Sequence, residues 1–308
     1  MGGHARVVDV TAAELPSVLA YLEERIDTSL FLLNNLRAFG PRRGASPYSG
    51  DFRALVTDAG IAAVWCAARN GYLVLQADGD IGCASVIDAD IGRQGAAVRG
   101  VLGDWAVGAA LWERVQARFH LVTTQRSCEI LYRLPLSPET PAVPPPDVDV
   151  RVLAPADEHA WDELAAGYLE EQRLPLDSSA ARRAGFVTQA RNGHWWGAWD
   201  GGRLVSIASF NSYYHPVAQV GGVFTRPDDR RKGLSRAVMQ TLLRDAVLTH
   251  RLTRIILFTG ERQQPARALY ESLGFEKIGV FGLFFGERAS PAGAIAGPDG
   301  QGTPGASS

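Results

Sequence analysis

Arg230, Arg231, Lys232 and Gly233 stand between a β-rich run, Val220 to Thr225, and a helical pattern that starts at Leu234. Arg226-Pro227-Asp228-Asp229 makes the turn between them. The pattern puts Leu234, Val238 and Leu242, with Met239, Leu243 and Ala246, on one apolar face and Arg236, Gln240 and Arg244 on another. A basic, Gly-containing loop that opens a helix is an anion site. The first-turn N–H groups lack intrahelical acceptors, the helix dipole favours negative charge, and glycine lets the backbone come close. The chemistry implied is a phosphate held between a strand and a helix. Neither G-x-x-x-x-G-K-[ST] nor a G-x-G-x-x-G with a following ribose-binding acid is present.

The order strand, Pro turn, Arg230-x-x-Gly233-x-Ser235, helix resembles the acyl-coenzyme-A pyrophosphate loop of the GCN5-related N-acetyltransferase (GNAT) superfamily. The usual pattern there is Gln or Arg, two residues, Gly, one residue, then Gly or Ala; here Ser235 takes the last place. Alone, the loop also reads as a solvated basic helix start. A second stretch lies downstream. Ile255 to Phe258 suits a strand buried on both faces, and Pro265 opens a helix with Ala266, Leu269, Tyr270 and Leu273 on one face and Gly274 after its end. From Gln264 to Phe275 this is similar to the family signature N-x-A-x-x-L-Y-x-x-x-G-F, with Gln264 where Asn is usual. The resemblance covers about 150–287.

The resemblance implies an α/β fold, a mixed and mainly antiparallel sheet flanked by helices, with two strands splayed around the pantetheine arm of acetyl-CoA or another short acyl-CoA. The backbone at Val223, Phe224 and Thr225 would bond the pantetheine and polarise the thioester. Arg230, Arg231, Lys232, Gly233, Leu234, Ser235 and Arg236 would hold the pyrophosphate, with Gln264 in the second signature. No metal is implied. Direct attack by an amine needs a neutral nitrogen, an N–H donor for the oxyanion and a proton for the leaving thiolate, whose thiol titrates near ~8.5. No covalent enzyme intermediate is required. Tyr270 stands where many family members place the acid, and reads equally as a core tyrosine. Glu170 and Glu171 are candidate bases acting through water, or a solvated helix end. His215 is a weaker candidate. Trp195, Trp196, Trp199, Tyr213 and Tyr214 fit either an acceptor wall or the core.

Around this stretch the chain has 308 residues, enough for two units of about 150, and 46% apolar with 21% charged residues is ordinary for a globular protein. A net charge of −2 gives no argument for nucleic acid or an anionic membrane. Cys66, Cys83 and Cys128 lack metal-ligand spacing, and the first two sit in apolar runs, which fits buried thiols in a reducing cytoplasm. MGGHARVVDV has no signal-peptide core and no apolar run reaches a membrane span, so a cytoplasmic protein is expected.

Residues 1–134 read as a compact α/β unit: strand Arg6–Val10, a capping box at Thr11–Glu14, helices near 29–38, 89–98 and 106–118, three strands between 52 and 76, and a last strand from Cys128. YLEE occurs at 21–24 and at 168–171, in the first helical segment of each half. With the shared element order, this points to a tandem duplication whose first unit is a degenerate GNAT-like domain; Gly92 to Ala97 is its candidate loop, without the leading Arg or Gln. Six prolines make 135–149 a stiff linker, 150–287 is the catalytic domain, and 288–308 reads as a disordered tail.

The expected function is N-acyl transfer from coenzyme A to a small-molecule or peptide amine, without nucleic-acid or membrane partners. Two other classes stay open: a non-catalytic acyl-CoA-binding regulatory module, and an interaction scaffold on tandem GNAT-like domains. Thioester turnover separates the first from the second, and coenzyme binding separates both from the third.

Overall fold

Gly and Asp turns cut the apolar runs into strands, and 3.6-residue apolar spacing makes the helices between them. The computed structural model describes residues 5–137, 148–172 and 178–288. Most of the expected linker and almost all of the expected tail lie outside the described residues. The first half runs β1 (Arg6–Asp9), α1 (Leu15–Glu24), α2 (Ile26–Phe39), β2 (Gly50–Thr57), β3 (Gly60–Ala68), β4 (Tyr72–Ala77), α3 (Gly82–Gln94), β5 (Gly100–Gly103), α4 (Trp105–Phe119) and β6 (Leu121–Pro135). The second repeats that order: β7 (Asp149–Val152), α5 (Glu158–Glu171), α6 (Ser179–Arg191), β8 (Trp195–Asp200), β9 (Arg203–Tyr214), β10 (Val217–Thr225), α7 (Leu234–Leu248), β11 (Arg254–Gly260), α8 (Gln264–Ser272) and β12 (Glu276–Arg288).

Of the expected capping box, the Glu14 half forms, with the Thr11 N–H donating to Glu14 at 3.1 Å. The Thr11 hydroxyl takes the Ala13 N–H at 3.2 Å instead of that of Glu14, and no side chain caps α1 at its first residue. The helix expected at 89–98 instead spans Gly82–Gln94. Gly95, at φ +62°, ends it, with the Ala96 N–H bonding back to Ile91 O at 3.3 Å. Gly92 to Ala97 is therefore a helix C-terminus, where carbonyls rather than N–H groups are free, and cannot be a phosphate loop.

The strands form one 12-stranded sheet, ordered β1-β2-β3-β4-β5-β12-β6-β11-β10-β9-β8-β7. The halves exchange their last strands. β12 runs antiparallel to β5, with Leu283 opposite Leu102, and β6 runs antiparallel to β11, with Leu257 opposite Tyr132. β6 and β12 pair over their full length, from Glu276 opposite Arg133 to Arg288 opposite Leu121. Each half is thus completed by a strand of the other, which composition and periodicity do not encode.

On one face, α7 and α8 cover Trp196, Phe210, Ile255, Leu257 and Tyr132. On the other, α5 and α6 cover Trp195, Ile207 and Phe224, so Trp195 and Trp196 are core residues. Beside them α2, from the first half, lays Leu30 on Val217 and Ile256. Asp27 on α2 bonds Arg133 of β6 at 3.2 Å and Arg254 of β11 at 2.8 Å, and the Ser212 hydroxyl donates to Leu30 O at 3.3 Å.

His194 stacks on Tyr213, with ring centroids 5.0 Å apart and 5.5 Å from His250. Burial lowers both imidazoles, His194 to about 4 from the ordinary 6.5, and His250 adds to the lowering at His194. The unfolded chain then binds protons that the folded one refuses. Stability is full above pH about 6.5 and is lost as pH falls toward about 4. Thermal melts of His194→Phe should show a flatter pH dependence across that window; an unchanged slope would contradict this.

Candidate active site

β10 and β11 are parallel and pair only at Val217–Arg254, Ala218–Ile255 and Gln219–Ile256. Beyond that, each stays with its outer neighbour: β10 reaches Thr225 opposite Ser206 of β9, and β11 reaches Gly260 opposite Glu129 of β6. The two strands therefore splay, and a wedge opens toward their C-terminal ends. The register of β10 shifts between Gly221 and Phe224, where Gly222 takes φ +62°. A β-branched side chain cannot hold that conformation, and a Cβ there would lie 3.2 Å from Trp195. Val223, Phe224 and Thr225 border the wedge with backbone unpaired on its inner side, which suits an extended ligand carrying amide groups.

The strand delivers the chain into the basic loop. The Thr225 hydroxyl bonds Ser206 on β9 and Ser235 in the first turn of α7, each at 2.7 Å, and so ties strand end to helix start. Buried Asp229 takes Lys232 at 2.7 Å and Arg203 at 2.8 Å; the Lys232 ammonium holds its carboxyl below the usual range. Arg231 and Gly233 have positive φ, +65° and +80°. The amides from Arg231 through Arg236 find no acceptor among the described residues, and no side chain caps α7. Those amides and the positive helix end are what a pyrophosphate needs.

The basic row does not act as a block. Arg230 donates from Nε to Thr225 O at 3.1 Å, pairs with Glu171 at 2.5 Å and lies over Phe224 at 5.5 Å. Lys232 is engaged by Asp229, and Arg236 donates to the Ser272 hydroxyl at 2.6 Å. Arg231 has no hydrogen bond or ion pair among the described residues. Gln264 is exposed at the start of α8.

Glu170 and Glu171 line a cavity of about 280 Å³ with Glu163, Gly167, Phe224 and Arg226. The cavity shares Phe224 with the wedge, and Glu171 at its wall neutralises Arg230. His215 is exposed at the β9–β10 turn.

Tyr270 enters from α8 on one face and is 6% exposed. Burial pushes its hydroxyl well above the ordinary 10, and Tyr168 adds to the rise. Tyr168 comes from α5 on the opposite face, packs edge-on against Phe224 at 5.9 Å, and is raised first by burial and then by Glu129. Neither hydroxyl bonds another described residue. Two tyrosines thus approach from opposite faces where the sheet is open. Glu129, 8% exposed, sits at the far side of the wedge: a Cβ on Gly260 would lie 3.7 Å from its Oε2. Tyr168 and Glu129 are the residues the sequence reading missed. The YLEE repeat marked Tyr168 as a sign of duplication, and Glu129 lies on a strand that arrives by exchange.

The first half has no matching opening. β4 and β5 pair from Tyr72–Gly100 to Val74–Leu102, and Gly103 then comes so close that a Cβ would lie 2.2 Å from Leu75 O. The strand-to-helix loop there carries Asp78 and Asp80, and Arg25 takes Asp78 at 2.8 Å. The Thr28 hydroxyl donates to Gln76 at 2.7 Å, and Tyr21, the counterpart of Tyr168, donates to Ala62 O at 3.2 Å. Arg25 neutralises Asp78, and Asp80 puts a carboxylate where the other loop has Arg230, Arg231 and Lys232.

Residues 157–275 match the family model described as Acetyltransferase (GNAT) family. The chain is 29% identical over 227 residues to the mycothiol acetyltransferase of Acidothermus cellulolyticus, with 67% of each chain covered. Among solved structures it is similar to a GCN5-related N-acetyltransferase from Sphaerobacter thermophilus, with TM-score 0.61, 14% identity, and 91% of this chain and 94% of that one covered. A tandem GNAT protein from the clavulanic acid biosynthesis pathway aligns with TM-score 0.51 and 15% identity over 94% of this chain and 100% of that one. At such identities the likeness is one of fold. The splayed strands, the loop of free amides and the second signature all lie inside residues 157–275, the segment that matches the GNAT acetyltransferase model.

Proposed function

We infer that the protein transfers an acetyl or other short acyl group from coenzyme A to an amine at the β10–β11 wedge. The observation that carries this is the run of acceptor-less amides from Arg231 to Arg236 at the mouth of an opening lined by unpaired β10 backbone. The pyrophosphate sits on those amides, with Arg231 as the cation left free for it. The pantetheine adds to β10 beside Val223, Phe224 and Thr225. The amine attacks the thioester carbonyl directly, and Tyr270 protonates the departing sulfur. Cysteine acylation is disfavoured, because burial pushes Cys66 up to about 12 and Cys83 to about 11. The acid loop and closed sheet of the first half support a single coenzyme site, in the second unit of a duplicated chain. Glu171 holds Arg230 against the loop instead of taking the amine proton. Likeness to an enzyme named for mycothiol acetylation supports acyl transfer without fixing the acceptor here.

Thiol release from acetyl-CoA tests this with amino acids, polyamines, aminoglycosides and peptide amines as acceptors. Arg231→Glu should raise the KM for acetyl-CoA at least about tenfold, the scale of one lost charge-assisted phosphate contact, with an unchanged melting temperature. An unchanged KM, or no amine-dependent release by the wild type, would contradict the reading.

A further inference from the structure

The exchanged strand carries chemistry into the wedge. On β6, Tyr132 and Leu134 face α7 and α8, whereas Arg133 faces α2 through its bond to Asp27. Strand alternation then turns Glu129 and Ser127 to the α2 and α5 face. Glu129 lies opposite Gly260 on one side and Phe281 on the other, and the Ser127 hydroxyl donates to its carboxylate. A carboxylate this buried has no ion-pair partner among the described residues. Beside it, Phe31 of α2 meets Phe258 of β11 at 6.2 Å and Phe281 of β12 at 6.0 Å, and Phe258 and Phe281 stack at 5.0 Å. Phe31 and Phe258 are only half-buried, so this aromatic wall has an open side.

Resting on the transferase reading, we propose that the acceptor site is built by both halves: Glu129 is the catalytic base, and Phe31, Phe258 and Phe281 receive the apolar or aromatic body of a primary amine. A cationic head beside a lone buried carboxylate and an apolar body on three rings is the ligand this pairing recognises. The amine arrives as an ammonium and sheds two protons in all. Glu129 takes one and passes it to solvent. The neutral nitrogen forms its bond to the carbonyl carbon as the carbon–sulfur bond breaks, and the second proton is accounted for on the sulfur through Tyr270. Gly260 borders the carboxylate: a Cβ there would lie in ordinary contact with Glu129, 3.7 Å from Oε2.

Burial raises the Glu129 carboxyl above its ordinary range and the Ser127 bond opposes the rise. Tyr168 is the titratable group facing it from α5; Gly260 and Phe281, its sheet neighbours, carry no charge. A base must be ionised, so kcat/KM should climb with pH through this group.

The probe is 2-phenylethylamine, compared with ethanolamine, with product read by mass spectrometry and acetyl-CoA binding by calorimetry. The wild type should acetylate phenylethylamine at least tenfold more efficiently. Glu129→Gln should lower kcat on the order of 100-fold or more and abolish the acidic limb of the pH profile, with acetyl-CoA affinity and melting temperature kept. Phe31→Ala should raise the KM for phenylethylamine by about tenfold, on the scale of a lost aromatic contact, without changing that for acetyl-CoA. Equal use of the two amines, no acetylation of phenylethylamine by a wild type that binds acetyl-CoA, or a full rate with an unchanged pH profile in Glu129→Gln would overturn the proposal. A wild type that does not bind acetyl-CoA would remove the transferase reading instead.

Discussion

Tyr270→Phe should lower kcat on the order of 100-fold or more, the scale of losing a positioned acid, while the dissociation constant for acetyl-CoA stays the same. Burial holds the hydroxyl above its ordinary 10, so it remains protonated across the working range and can give its proton only to a stronger base, such as a departing thiolate in a dry cleft. The hydroxyl bonds no described residue, so its removal leaves no buried partner unsatisfied. The melting temperature should hold or rise slightly. A tyrosine that served only the core would give the reverse: unchanged turnover with altered stability. Steady-state kinetics, calorimetry and a thermal melt on one variant decide between them.

The second large effect concerns the exchanged strands. Produced alone, residues 1–137 should fail to unfold cooperatively, and so should residues 148–308. The first fragment lacks β12, which fills the place between β5 and β6 and brings fully buried Phe284 into the core of that half. The second lacks β6, and with it Tyr132 and Leu134 from the cluster under α7 and α8. Each lost large core side chain costs about 2–5 kcal/mol, against a total stability of about 5–15 kcal/mol for a domain, and every cut leaves an open sheet edge. Co-expression of the two fragments should restore a soluble complex. Two fragments that each melt cooperatively at the temperature of the whole chain would contradict the exchange.

Much of this was legible in the residues. Gly233 and Pro227 bracket the loop, Pro265 and Gly274 bracket α8, and the free amides follow from a helix that starts without a capping side chain. Local signals fix local elements, which is why β1 and α4 lie close to where spacing puts them. What the residues could not show is long-range pairing. The basic row reads as one anion trap, but the fold spends Lys232 on Asp229 and Arg230 on Glu171, leaving backbone amides and Arg231 for a ligand. Gly92 to Ala97 reads as a loop from its glycines, but Gly95 sits in the left-handed conformation that ends α3. Glu129 reads as one acid in a strand; only the insertion of β6 beside β11 brings it to the wedge.

The most direct measurement is calorimetric titration of acetyl-CoA into the intact chain, repeated with Arg231→Glu. Binding of one molecule per chain, weakened by the variant, is expected if the β10–β11 wedge is the coenzyme site and the acidic loop at Asp78 and Asp80 closes the first half to it. No binding, or two equivalent sites per chain, would contradict that assignment.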